Sequence, residues 1–417
     1  MKKYFEIILF CVVLGLVCCE KVMDLNSDKP YVILVSFDGF RHDYVEKYNA
    51  PNFKELVANG VSTKGLIPSY PSKTFPNHYT IVTGLYPGNH GLVDNSFYAP
   101  GLDLQYSIGN RERVENPAFY GGTPLWQLVQ ENGMKSASYF WVGSEAPIKG
   151  SFPDYYTKYD GSVTNEKRIE VVKDWLKLPA EQRPQFISLY FSLVDDSGHG
   201  FGPNSEETKN TVLEADRLLG LLRAEIAEID LDVNLVLVSD HGMNEIKPET
   251  GNYTTYDELL EGLDQDKFRF ISNGAHAHFY VHNREDIDQI EEALKTKAKN
   301  YKVYKKPDFP AHWHNATNNR VGNIIITMEP GHYLTSSSRA ERTIEDQNTR
   351  GEHGFDPYET EDMRGIFYAE GPQVKKGMQI DAFENIHIYP FIAEILGITN
   401  LPEIDGKKEV LSSILKK

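Results

Sequence analysis

The amino-acid sequence predicts an α/β fold: a central, mostly parallel sheet flanked by helices on both faces, with an inserted cap-like segment. Three observations predict it. Continuous apolar runs of strand length recur along the chain, amphipathic helical runs separate them, and the composition is globular, with 40% apolar and 12% aromatic residues. Uninterrupted apolar strands belong to sheets buried on both faces, which need helices on each side. With 417 residues the chain can bury such a core without disulfides.

The first nineteen residues carry Lys2 and Lys3, an apolar run over 7–17, and all three cysteines, Cys11, Cys18 and Cys19. A charged start before a short apolar run is the pattern of a signal peptide, too short to span a bilayer comfortably. The run ends in Leu16-Val17-Cys18-Cys19, which resembles a lipoprotein processing site with Cys19 lipidated; the alternatives are plain secretion with loss of the segment and an uncleaved anchor helix, which the length rule disfavours. The expected location is therefore outside the cytoplasm, periplasmic or at the cell surface, with the membrane reached only through a lipid at Cys19. Residues 20–30 are polar, end in Pro30 and read as a tether to a folded domain over 31–417.

Within that domain the expected strands are 31–37, 136–141, 186–193, 235–239 and 323–328, and the expected helices are 52–59, 124–132, 166–176 and 206–229. Residues 251–349 break the rhythm. They hold one strand-like run at 277–282, a charged helix at 286–298 and a Lys-, Asn- and Ser-rich remainder, and read as an insertion over the sheet edge with the core resuming at about 350. Lys and Arg number 43 against 60 Asp and Glu, a formal charge of −17. That excludes a nucleic-acid polymer as partner, because phosphate backbones need clustered cations. A small phosphorylated substrate stays possible where metal ions supply local positive charge.

Ligands of open α/β sheets collect at the carboxyl ends of the strands. The run at 31–37 delivers Asp38; the run at 186–193 delivers Asp195 and, across a Gly, His199; the run at 235–239 delivers Asp240 and His241. After the insertion, Gly351-Glu352-His353-Gly354 sets a further His between glycines. One Asp after a strand is as well explained by helix capping. Three such ends, two of them carrying His, are not. Three Asp and three His suffice for two metals with three protein ligands each and positions left open for substrate, the pattern of catalytic zinc with imidazole and carboxylate donors. At Asp195-Asp196 either carboxylate could bind, and the spacing to His199 favours Asp195. His276, His278 and His282 alternate in a strand-like run and His312 and His314 lie in the polar insertion, so these are expected to be structural.

The stretch Pro71-Ser72-Lys73-Thr74-Phe75-Pro76-Asn77-His78 precedes an apolar helical run. A hydroxyl at a helix N-terminus benefits from the positive end of the dipole and from free backbone N–H groups, both suited to phosphate. Beside metals that lower its pKa it becomes a nucleophile. Ser72 and Thr74 are the candidates.

These segments resemble the ectonucleotide pyrophosphatase/phosphodiesterase family, a branch of the alkaline phosphatase superfamily. The resemblance runs through YVILVSFDGFR (31–41), SYPSKTFPNH (69–78), LVDN (92–95), YFWVGSEAP (139–147), YDGSV (159–163), DDSGHGFGP (195–203), SDHGM (239–243) and GEHGFDP (351–357), in family order over nearly all of 31–415 and least in the insertion. It implies an alkaline-phosphatase-like sheet, two Zn2+ ions and Thr74 as nucleophile. Asp38, Asp240 and His241 would share one zinc with Thr74, and Asp195, His199 and His353 would hold the other. Asn95, otherwise a turn residue, would donate its amide to a non-bridging phosphoryl oxygen. The implied reaction is hydrolysis of nucleotide phosphodiester or pyrophosphate bonds through a covalent threonine ester, releasing a nucleoside 5′-monophosphate. The absence of cysteine after residue 19 and of cysteine-rich or nuclease-like modules gives the expectation of a bacterial, single-domain type.

Aromatic faces suit a nucleobase, since stacking is worth about 1–3 kcal/mol per base and tolerates every base. The resemblance implies Phe75 and Tyr159 on either side of the base, with Trp141 bordering it. Relatives that cleave choline phosphodiesters or phospholipids use aromatic and acidic residues around a quaternary ammonium, and a phosphomonoesterase on the same metals would want extra cations, for which Lys73 and Arg41 are nearest in sequence. A sulfatase on this fold would need a Cys or Ser in a C/S-x-P-x-R string, which Ser72-Lys73-Thr74-Phe75-Pro76 is not. A protein that only binds nucleotide or metal would have lost the nucleophile or a ligand; none is missing.

Overall fold

The seven residues Tyr31–Phe37 form the first strand, β1, and every one is buried. The computed structural model describes residues 30–416; the expected signal peptide, Cys19 and the tether up to residue 29 lie outside them. The main sheet continues through β2 (Val61–Thr63), β3 (Ser136–Tyr139), β4 (Tyr155–Thr157), β5 (Phe186–Phe191) and β6 (Val233–Val238). An inserted lobe then contributes β7 (Phe268–Ser272), β8 (His276–Val281), β9 (Tyr301–Lys305) and β10 (Ile324–Met328). The chain returns to the main sheet with β11 (Phe367–Glu370) and β12 (Met378–Ile380).

The eight main-sheet strands lie in the order β12-β2-β11-β6-β1-β5-β3-β4. β1 pairs in parallel with β5 and β6, β3 with β4 and β5, and β2 with β12, whereas β11 runs antiparallel to both its neighbours. The sheet is therefore α/β and mostly parallel, as the sequence predicts. Strand alternation splits β1 between two cores. Val32 and Leu34 join one apolar cluster with Ile81, Trp126 and Phe391; Ile33, Val35 and Phe37 join another with Phe53, Val172 and Leu218. Helices α1 (Pro51–Asn59), α2 (Thr74–Thr83), α3 (Leu125–Glu131), α4 (Asn165–Leu176), α5 (Leu193–Phe201), α6 (Glu206–Ala227) and, after the lobe, α8 (Ile388–Ile395) supply those opposite faces.

One expected strand changes place. The run at 323–328 forms β10, but in the lobe's own antiparallel sheet of order β7-β8-β10-β9, not in the main sheet. An apolar run states that a strand is buried and leaves its partner open. The lobe also holds helix α7 (Ile287–Lys297) and has its own apolar cluster, which includes Phe279, Leu294 and Ile326. After it, Arg350–Glu352 pairs antiparallel with Asn244–Ile246, which brings His353 back to the carboxyl end of β6.

Candidate functional site

β1, β5 and β6 end in register: Phe37 faces Phe191 and Ser36 faces Val238. The backbone N–H of Asp38 still donates to Phe191 O at 2.9 Å, so the residue leaves the strand directed across the sheet end. Asp195 stands in the first turn of α5 and His199 in its last. Asp240 and His241 follow β6 after Ser239, and Thr74 opens α2.

Around His241 Nε2 lie Asp240 Oδ2 at 3.0 Å, Thr74 Oγ1 at 3.2 Å and Asp38 Oδ1 at 3.4 Å. A second set closes beside it. His353 Nε2 faces His199 Nε2 at 3.1 Å, and Asp195 Oδ1 lies 3.5 Å from the first-named helix partner His199 and 3.7 Å from His353. The rings of His241 and His353 stack at 3.6 Å, which joins the two sets. Tetrahedral zinc with bonds of about 2.0–2.2 Å places its donors about 3.3–3.6 Å apart. The oxygens aimed inward, Asp38 Oδ1, Asp195 Oδ1 and Asp240 Oδ2, are buried and have no hydrogen-bond partner among the described residues. Each His is also turned for ligation. The Nδ1–H groups of His199, His241 and His353 donate at 2.8 Å to the carbonyls of Gly351, Gly242 and Ser72, which leaves each Nε2 with a bare lone pair. Two divalent cations of the zinc type fit these donors.

The electrostatics point the same way. Burial, then the Asp240 and Asp195 carboxylates, holds the Asp38 carboxyl well above the usual carboxylate range. Burial pushes Asp240 upward too, but His241 and His78 outweigh it and hold that carboxyl well below the usual range. Burial, His241 and Lys73 drive the His353 imidazole well below its ordinary value. Burial lowers the His241 imidazole too, but the Asp240 and Asp195 carboxylates outweigh it and raise it above its ordinary value. Carboxylates crowded together around imidazoles are an arrangement a divalent cation stabilises.

Asp38, His78 and Asp240 bring donor atoms within 4.8 Å of one another, as do Asp195, His241 and His353. His78 is nevertheless no ligand, because both its nitrogens are committed: Nδ1–H donates to Thr74 O at 2.9 Å and Nε2 accepts from Ser36 Oγ at 2.8 Å. It braces the first turn of α2 against β1. Tyr190, on β5, donates its hydroxyl to Asp38 Oδ2 at 2.6 Å. Neither residue was singled out from the sequence: Tyr190 reads as a member of the apolar run at 186–193, and His78 only closes the stretch before the helical run.

The two candidate nucleophiles separate by geometry. Ser72 is fully buried, donates to Phe355 O at 2.7 Å and accepts from Gly354 N at 3.0 Å. Thr74 is half-buried and its hydroxyl meets the bare Nε2 of His241. Of the expected free N–H groups at the start of α2, that of Thr74 has no hydrogen-bond partner among the described residues and the next three positions offer none. Phe75 N donates to Asn95 Oδ1 at 2.9 Å, Asn77 N bonds Lys73 O at 3.2 Å, and Pro76 has no N–H. The Phe75 contact fixes the Asn95 amide with its oxygen inward, so its NH2 group remains to donate. Asp196 is exposed and accepts from Ser192 Oγ at 2.9 Å, apart from the metal set.

Among the aromatics, Phe75 is half-buried and packs edge-on to Tyr106 at 6.3 Å. Tyr159 is 45% exposed and its ring lies 6.4 Å from that of Tyr190, which ties it to the Asp38 side of the site. Trp141 does not fit the expected substrate contact. It is 1% exposed, and its Nε1–H donates to His78 O at 3.0 Å, so it is core behind His78 with no face free for a base. Of the two nearby cations, Arg41 is consumed by Asp43 at 2.6 Å and Asp362 at 3.4 Å. Lys73 is buried beside the site, and burial lowers its pKa against the opposing pull of Glu352, Asp94 and Asp195.

The model of the type I phosphodiesterase/nucleotide pyrophosphatase family matches residues 32–356. Ectonucleotide pyrophosphatase/phosphodiesterase family member 1 of Homo sapiens is 35% identical over 415 residues, 95% of this chain and 44% of that protein. The venom phosphodiesterase of Macrovipera lebetinus is 36% identical over 395 residues, 92% of this chain and 45% of that protein. The chain thus spans less than half the length of these relatives. A solved structure of murine ectonucleotide pyrophosphatase/phosphodiesterase 5, an inactive variant in complex with AMP, superposes with a TM-score of 0.85 at 31% identity, over 93% of this chain and 100% of that one.

Proposed function

Because the chain belongs to the type I phosphodiesterase/nucleotide pyrophosphatase family, we propose that it hydrolyses phosphodiester and pyrophosphate bonds of nucleotides and releases the nucleoside 5′-monophosphate. The observation that carries this reading is the meeting of Thr74 Oγ1, His241 Nε2, Asp38 Oδ1 and Asp240 Oδ2 at the first residue of α2. Two zinc ions, one held by Asp38, Asp240 and His241 and the other by Asp195, His199 and His353, would lower the pKa of the Thr74 hydroxyl and offset charge on the transferring phosphoryl group. Thr74 Oγ1 gives up its proton and attacks phosphorus; the bond to the leaving oxygen breaks, the released proton is taken up by the leaving group or by solvent, and a phosphothreonine ester remains. Water then cleaves that ester and returns the proton to Thr74. The free NH2 of Asn95 donates to a non-bridging phosphoryl oxygen throughout, a contact that strengthens as charge builds there.

Phe75 and Tyr159 are the faces assigned to the base; Trp141 supports His78. Export rests on the Lys2–Cys19 pattern, and lipidation of Cys19 on its last residues; among the described residues no helix is long and apolar enough to cross a membrane. The products of ATP hydrolysis by the zinc-loaded protein test the assignment. AMP and pyrophosphate are expected. ADP and phosphate would replace it with a phosphomonoesterase that uses Lys73 as its extra cation, and no turnover of ATP would transfer the site to choline or phospholipid diesters.

A further inference from the structure

Residues 94–98, which carry Asn95, are held from outside the main sheet. The inserted lobe grips them at successive positions. His276 and His278 stand two apart on β8, hence on one face of the strand, and both direct Nε2 at Asp94 Oδ2, His278 at 2.8 Å and His276 closer still. Asp94 Oδ1 in turn accepts the backbone N–H of Asn95 at 2.7 Å. One residue on, Asn273 accepts from Ser96 N at 3.1 Å and donates to Ser96 O at 3.0 Å. Two further on, the Tyr280 hydroxyl accepts from Tyr98 N at 3.0 Å.

Asp94, His276 and His278 bring three donor atoms within 4.8 Å of one another and are fully buried, so a cation site has to be weighed. The tautomer of His278 decides against it. Its Nδ1 accepts the N–H of Gly322 at 3.2 Å, so its hydrogen sits on Nε2, and a nitrogen that bears hydrogen cannot ligate a metal. The three imidazoles at the catalytic site are set the opposite way, with Nδ1–H donating and Nε2 bare. Two N–H donors on one carboxylate oxygen, with the other oxygen on a backbone N–H, make an anchor for a charged group.

We propose that Asp94, His276 and His278 are positioning residues for phosphoryl transfer: through them the inserted lobe fixes the backbone from which Asn95 reaches the transferring phosphoryl group. This rests on the phosphoryl contact assigned to Asn95 above. Burial, opposed by Asp94, lowers the pKa of His276, in keeping with a neutral imidazole that donates from Nε2 and leaves Nδ1 bare and unpartnered among the described residues. Neither the main sheet nor α2 contributes a donor to the Asp94 carboxylate; its donors are lobe imidazoles and the following N–H.

A double-mutant cycle on the zinc-loaded full chain tests this. His278→Leu is expected to lower kcat about 10- to 100-fold with little change in KM, the cost of a misplaced group. His278→Gln, which keeps an N–H donor, should restore most of that loss. In an Asn95→Ala background the same His278→Leu change should cost less than about threefold, because the contact it serves is already gone. Losses that multiply independently would overturn the proposal, as would equal losses for Leu and Gln. Histidine and asparagine 15N spectra provide a readout apart from turnover. His276 and His278 should be Nε2–H tautomers unmoved by zinc, and the side-chain amide signal of Asn95 should shift in His278→Leu. Histidine signals that move with zinc, or an Asn95 signal that does not move in the variant, would overturn it. A wild-type protein inactive on every phosphodiester would instead overturn the assigned reaction, and the spectra would still decide whether the lobe sets Asn95.

Discussion

Ser72 and Thr74 stand two positions apart and differ in what their hydroxyls touch, which turns one motif into a clean test of role. Ser72 is closed on both sides by backbone, from Phe355 O and Gly354 N. Thr74 points at His241 Nε2. Thr74→Ala is therefore expected to remove turnover while zinc content, measured by atomic emission, stays unchanged, since the Asp and His donors remain. Ser72→Ala should cost about 1–3 kcal/mol of stability by orphaning buried backbone groups, with turnover still measurable. Activity that survives in Thr74→Ala and vanishes in Ser72→Ala would exchange the two roles. Residue type and spacing left both hydroxyls open, and only the family resemblance pointed to Thr74, because what separates them physically lies at residues 354 and 355, far along the chain. Strand-end Asp38, Asp195 and Asp240 were legible because position after a buried strand is a local signal; His78 and Tyr190 were not, because their function is set by partners that a sequence does not place beside them.

At the scale of elements, the helices follow their sequence periodicity closely, and the strands do so in extent but not in partnership. The run at 323–328 is a strand as its apolar content says, yet it pairs within the lobe. His276 and His278 were legible as strand residues on one face, while the carboxylate they meet is 182 and 184 residues away. A short element shows what such burial does to titration. Helix Pro87–His90 places His90 at 1% exposure, where Nδ1 accepts Leu92 N and Nε2–H is left for Thr80 Oγ1 at 3.0 Å. Burial pushes that imidazole down to about 3 from 6.5. The unfolded chain takes up a proton near 6.5 and the folded one refuses it until about 3, so His90 makes stability fall as pH drops between those values, at about 1.4 kcal/mol per unit. His90→Gln is expected to flatten the decline of melting temperature between about pH 7 and about pH 5 relative to wild type, with the metal contribution common to both proteins. Parallel profiles for the two proteins would remove His90 from the acid response.

The whole molecule is tied together at one point. The candidate set gathers the ends of β1, β5 and β6 and the segment after the lobe, so residues 195 and 353 face each other at 3.7 Å although 158 positions (353 − 195) separate them. Burial and, after it, repulsion from the Asp240 and Asp195 carboxylates hold Asp38 well above the usual range. Cations that bind only the folded arrangement stabilise it by about 2.7 kcal/mol when present at a hundred times their dissociation constant. Chelation should therefore lower the melting temperature as well as abolish activity, and zinc should restore both. Magnesium should restore neither, since an octahedral, oxygen-seeking ion is a poor match to imidazole donors. Asp38→Asn and Asp195→Asn are each expected to reduce bound zinc from two ions toward one, because they serve different sets. A chelated protein that melts at the temperature of the zinc-loaded one would mean that the fold carries the crowded carboxylates unaided, and the metal assignment would fall with it.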